Sequence, residues 1–89
     1  MNPAEKEDII RIKKAFSKIK KDKKLSKAEV DDLMSDLTNL LGIYATDKSK
    51  ELAALLEEMI SFGEKNALSV EGSKLQFEQL KKGKIKIKR

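Results

Sequence analysis

The sequence predicts an all-α fold, an antiparallel four-helix bundle with a basic C-terminal tail. Three observations predict it. Apolar residues recur at spacings of three and four through most of the chain, which gathers them on one face of each helix. Capping residues stand where the apolar stripes begin. The polar segments between stripes are short, which suits antiparallel neighbours. At 89 residues there is room for one domain. The expected division is a single helical domain over 1–83 and a basic tail over 84–89.

The first helix opens at Asn2 as N-cap, with Pro3 at the first helical position and Glu5 three residues after the cap. Glu5, Glu7 and Asp8 crowd its first turns, where the helix dipole favours negative charge, and Lys18, Lys20 and Lys21 sit at the opposite end. Ile9, Ile12, Phe16 and Ile19 form its apolar face, and it is expected to run from Pro3 to Lys20. The second helix opens on a capping box, Ser26 with Glu29, and Leu25 and Val30 are placed for a hydrophobic staple. Its stripe is Val30, Leu33, Met34, Leu37, Leu40 and Leu41. Gly42 is expected to end it in a left-handed conformation, with Ile43 folding back. A short loop holding Tyr44 then leads to the third helix, capped by Thr46 or Asp47. Leu52, Leu55, Leu56, Met59, Ile60 and Phe62 make its stripe, which passes through Gly63 and stops at Asn66.

Two readings stand for the C-terminal quarter. Ser69 or Ser73 can cap a fourth helix that carries Leu75, Phe77 and Leu80 and closes at Gly83, and Ser73 with Gln76 resembles a capping box. Leu75/Phe77 and Ile85/Ile87 also alternate with polar residues, the period of a strand, so a β-hairpin turning at Lys82-Gly83 is the alternative. An isolated hairpin is only marginally stable, which favours the helix. An internal echo points the same way. At a shift of 43 residues, Ile9, Ile12, Phe16, Ile19, Leu25 and Ser26 fall on Leu52, Leu55, Met59, Phe62, Leu68 and Ser69. Any bundle with similar loops produces such an echo, and that is the simpler explanation. The expected core is Ile9, Ile12, Phe16, Ile19, Val30, Leu33, Leu37, Leu40, Leu52, Leu55, Met59 and Phe62.

Composition excludes much chemistry. With no Cys and no His, the chain has no disulfide, no thiolate or imidazole metal site, and no Cys- or His-based catalysis. No cofactor and no small-molecule substrate are expected. Asp31/Asp32 and Glu57/Glu58 are adjacent pairs, which diverge by about 100° on a helix and read as solvated faces rather than a catalytic dyad. The Lys-rich segment after Asp22 lacks the alternating oxygen ligands and the glycine of a calcium loop. No phosphate-binding glycine loop and no nucleophile elbow occur, so an enzyme is not expected. A polar, acidic start over Met1 to Asp8 is unlike a secretory signal, and no apolar run is long enough to span a bilayer; the expectation is a soluble, cytoplasmic protein.

Charge is the remaining signal. Residues 1–27 carry +6, residues 28–80 carry −7 and residues 81–89 carry +6. In the bland reading, head and tail settle against the acidic middle. In the functional reading, Lys13, Lys14, Lys18, Lys20, Lys21, Lys81, Lys82, Lys84, Lys86, Lys88 and Arg89 bind a partner. A protein partner is favoured. Sequence-independent nucleic-acid binding through the first helix and the tail is the alternative, because those cations could neutralise phosphates; against it, the basic stretches lack interleaved aromatics for stacking. A membrane-surface role ranks lower, since Phe16 is the only aromatic on the first helix and is better placed as core. Oligomeric state is left open.

Residues 58–82 run Glu-Met-Ile-Ser-Phe-Gly-Glu-Lys-Asn-Ala-Leu-Ser-Val-Glu-Gly-Ser-Lys-Leu-Gln-Phe-Glu-Gln-Leu-Lys-Lys. This stretch resembles the junction of the third and fourth helices in small bacteriocin immunity proteins. The resemblance implies a cytosolic antiparallel four-helix bundle of about this length. It also implies a role in protecting a producing bacterium, with the C-terminal segment taking part in recognising the cognate toxin's action. The Lys-Ile-Lys-Ile-Lys tail is not part of that pattern. The function expected is therefore a non-enzymatic protein that acts by binding a protein partner, as an immunity factor, inhibitor or regulator.

Overall fold

The computed structural model of the chain describes residues 2–83. They form four helices: α1 (Pro3–Lys21), α2 (Lys27–Thr46), α3 (Lys50–Lys65) and α4 (Glu71–Lys82), and no strand occurs among them. The all-α bundle reading holds. The strand reading of residues 73–82 is overturned, because they lie in α4, which Gly83 closes in the left-handed conformation with φ 72°. The expected basic tail, 84–89, lies outside the described residues, Ile85 and Ile87 included.

The predicted N-termini of α1 and α2 form as capping boxes. Asn2 Oδ1 accepts from the Glu5 amide at 2.8 Å while Glu5 accepts from the Asn2 amide at 3.1 Å. Ser26 and Glu29 exchange the same pair of bonds at 3.1 and 2.9 Å. Each box satisfies two amides that the helix itself leaves unpaired.

The end of α2 corrects the sequence reading. The helix does not stop at Gly42 but continues to Thr46, and Tyr44 lies inside it rather than in a loop. The extra turn buries Ile43 and Tyr44, and the Tyr44 ring meets Phe77 of α4 at 5.3 Å. A mid-helix glycine costs about 1 kcal/mol, less than burying one large side chain yields, at about 1.5–3 kcal/mol. Packing therefore carries the helix through Gly42. The cap of α3 moves with it: Ser49, not Thr46 or Asp47, accepts from the Leu52 amide at 3.1 Å.

The α3–α4 connection also departs from expectation. Asn66 is the C-cap of α3, as its position suggested, but the left-handed residue is Ala67, with φ 60°. The Leu68 amide donates to Gly63 O at 2.8 Å and the Ala67 amide to Glu64 O at 3.2 Å. This is a Schellman closure with alanine in the place usually held by glycine. Neither Ser69 nor Ser73 caps α4. Its N-cap is Val70, which makes no side-chain capping bond and is instead buried over Gly63. The echo thus breaks here, because Ser26 caps its helix and Ser69 does not.

Buried residues from all four helices make one core. Val30 and Phe62, expected within it, are only half-buried. Phe62 lies at its margin, edge-on to Phe16 with ring centres 5.5 Å apart. Leu75, expected on the apolar face of α4, is 59% exposed. Phe77 and Leu80 face the core, and on a helix Leu75 lies about 160° from Phe77. The core gains Leu41, Ile43, Tyr44, Leu56, Ile60, Val70, Phe77 and Leu80.

Sequential helices run antiparallel. Lys74 of α4 reaches Glu64 and Lys81 reaches Glu57, so α4 descends along α3. Lys13 reaches Glu51 and Lys20 reaches Glu58, so α1 and α3 run parallel. α2 and α3 each pack against all three other helices, whereas α1 and α4 do not meet. The glutamates that meet α1, Glu51 and Glu58, lie about 120° around α3 from Glu57 and Glu64, which meet α4. α1 and α4 therefore lie on different flanks of α3.

Candidate interaction surface

Helix α3 carries two rows of glutamates, each with a spacing of seven residues, or about two turns. Glu51 and Glu58 face α1; Glu57 and Glu64 face α4. The lysines they meet have the same spacing. Lys13 pairs with Glu51, and Lys20 with Glu58 at 2.8 Å. Lys74 pairs with Glu64 at 2.9 Å, and Lys81 with Glu57 at 3.5 Å. Two of these lysines also lie across rings four residues earlier on their own helices. Lys20 Nζ is 4.8 Å from the centre of Phe16, and Lys81 Nζ is 4.7 Å from that of Phe77. The stems cover the edge of the core while the ammonium groups reach the carboxylates. Glu64 beside it holds the Lys74 ammonium above its ordinary value.

On its other flank α1 meets α2 through Arg11. The guanidinium reaches Asp36 Oδ1 at 3.4 Å and Asp8 at 3.9 Å. Asp36 is the buried charged side chain of the described core, 8% exposed. Burial pushes its carboxyl above the usual range, Arg11 opposes this, and Asp32 and Asp8 add to the upward push.

These contacts sort the cations that the sequence singled out. Lys13, Lys20 and Lys81 are engaged by α3. Lys14, Lys18 and Lys21 are exposed, and none of them makes an ion pair with a described residue. They fall within about 60° of one another around α1, on the side opposite Ile9, Ile12, Phe16 and Ile19. Asp22 and Glu29 act on each other, which holds the Asp22 carboxyl up and the Glu29 carboxyl down; Lys18 pulls both downward to a lesser degree. Lys82 is exposed in the last turn of α4. It and Lys81 belong to α4, which does not meet α1. Lys84, Lys86, Lys88 and Arg89 lie outside the described residues.

One residue of this surface was not singled out from sequence. Ile10 is 54% exposed and stands on the outward face of α1, one turn before Lys14. Its signal was available: Ile9 and Ile10 are adjacent, so only one of them can face the core. Among the described residues, no three carboxylates cluster as a metal site would need, and no helix is long and apolar enough to cross a membrane. No family model, curated protein or solved structure matches the chain.

Proposed function

We propose that the protein is a small non-enzymatic binder, an immunity factor, inhibitor or regulator, that acts in the cytoplasm by occupying a protein partner. Bacteriocin immunity is the favoured instance. The observation that supports this reading is the sorting of the lysines. Half-buried and core-edge lysines are neutralised by α3, while Lys14, Lys18 and Lys21 stand together facing away from the core. An exposed isoleucine adjoins them, and Glu7 lies on the same outward side of α1. A short basic face with an apolar neighbour and an acidic end suits a protein surface better than the uniformly negative backbone of a nucleic acid. The four-helix architecture is also the one implied by the resemblance of residues 58–82 to small bacteriocin immunity proteins.

Expression in bacteriocin-sensitive strains tests the favoured instance, and resistance to one bacteriocin is the expected result. Pull-downs from the native host, with the full chain and with a chain ending at Leu80, test the wider reading and the share of the C-terminal residues in it. Specific enrichment of a protein partner is expected. Failure to enrich any protein, together with salt-dependent binding to duplex DNA of unrelated sequences, would replace this reading with nucleic-acid binding.

A further inference from the structure

We infer that the outward face of α1 is a docking surface for an acidic amphipathic helix of the partner, laid antiparallel to α1. This inference rests on the reading of the protein as a binder of a protein partner.

The face is ordered along its length. From the N-terminal end it presents Glu7, Ile10, Lys14, Lys18 and Lys21, all within about 80° around the helix. Lys14 to Lys21 spans about 10 Å, and Ile10 lies about 6 Å further on. No described carboxylate pairs with the three lysines, in contrast to Lys13 and Lys20 on the adjoining flank. The face therefore offers three cations in a row, then one apolar contact, then a negative charge. A partner helix complements it when read backwards: Glu opposite Lys21, Lys18 and Lys14, then a large apolar residue opposite Ile10. The successive intervals are three, four and four residues, which keep all four on one face of the partner as well.

Helix polarity selects the antiparallel arrangement. The acidic residues then occupy the N-terminal half of the partner helix, where its own dipole favours them. Its positive end also lies beside the C-terminal end of α1, which carries the negative end of the α1 dipole. In the parallel arrangement both dipole effects reverse.

The probe is a synthetic helical peptide with Glu-x-x-Glu-x-x-x-Glu-x-x-x-Leu on one face and a neutral remainder, titrated into the full chain at low ionic strength and followed by NMR. Shift changes are expected on α1 from Ile10 to Lys21. Replacing Lys14, Lys18 and Lys21 together by Gln should weaken binding roughly tenfold, since each exposed pair contributes modestly. Replacing Lys13 and Lys20 by Gln should change it less than twofold, because α3 already holds those two. A peptide with the same residues in reverse order should bind at least about threefold more weakly. Equal loss in both lysine variants, shift changes centred elsewhere, or equal binding by the reversed peptide would overturn the proposal. So would tighter binding of duplex DNA or of anionic vesicles than of the peptide at equal salt. Circular dichroism of each variant separates loss of the face from loss of the fold. A protein partner from the native host that binds the Lys14/Lys18/Lys21 variant as well as the wild type would refute this surface and leave the reading of the protein as a binder intact.

Discussion

Asp36 shows how one residue can set a pH dependence. Its carboxyl is buried beside Arg11, and burial raises it above the ordinary carboxylate value despite that guanidinium. From about pH 4 up to its folded-state value, the folded protein holds this proton more tightly than the unfolded chain does. Stability contributed at this site therefore falls as pH rises through that window, and stays at the lower level above it. Asp36→Asn removes the titration. In urea denaturation across the window, the wild type is expected to lose stability relative to Asp36→Asn as pH rises. A relative gain would mean that Arg11 outweighs burial.

At the scale of the element, two glycines within helices have opposite roles. Gly42 lies on the exposed side of α2, and a β-carbon there would meet nothing within 4 Å. Gly42→Ala is expected to stabilise the protein by about 1 kcal/mol, read as a higher urea midpoint at unchanged slope. Gly63 is buried in α3, and a β-carbon there would stand 2.6 Å from Val70 Cγ1. Gly63→Ala gains the same helix propensity but must displace a buried, branched side chain held at the start of α4. The expected result is a net loss of about 1–3 kcal/mol, the usual cost of overpacking. In a double-mutant cycle, Val70→Ala should make Gly63→Ala less costly. Strict additivity of the two changes would show that Val70 does not set the need for glycine.

For the whole molecule, the charge pattern along the chain is a tertiary design. The basic head, through Lys13 and Lys20, and the basic end, through Lys81, settle against α3 at Glu51, Glu58 and Glu57, while Lys74 of the acidic middle pairs with Glu64. Each pair is exposed and individually weak, but together they tie both outer helices to one central helix. Replacing the four glutamates by Gln leaves Lys13, Lys20, Lys74 and Lys81 without their carboxylate partners. The variant is expected to melt at a lower temperature than the wild type in low salt, and the gap should narrow as salt screens the exposed charges. A gap independent of salt would assign the loss to packing rather than to charge.

Local physics was legible in the sequence at most of the helix ends it decided, the Ser49 cap of α3 excepted. The capping boxes at Asn2 and Ser26, the apolar face of α1, the stop of α3 at Asn66 and the closing turn at Gly83 depend on residues within one or two turns of one another. The candidate lysines were visible too, as a charge run, but not their division. That Lys20 is engaged and Lys18 is not depends on Glu58, far along the chain, and on α1 running parallel to α3. The same holds for the passage of α2 through Gly42, where the contact of Tyr44 with Phe77 outweighs the local signal to stop. The start of α4 at a buried Val70, without a serine cap, and the need for Gly63 beneath it are likewise settled by a contact across a turn. The amino-acid sequence by itself determined the helices, the capping boxes of the first two and most of the core, because helix period and capping act over a few residues. Only the tertiary structure decided which charges are spent inside the bundle and which remain on its outer face, because that choice depends on which helices become neighbours.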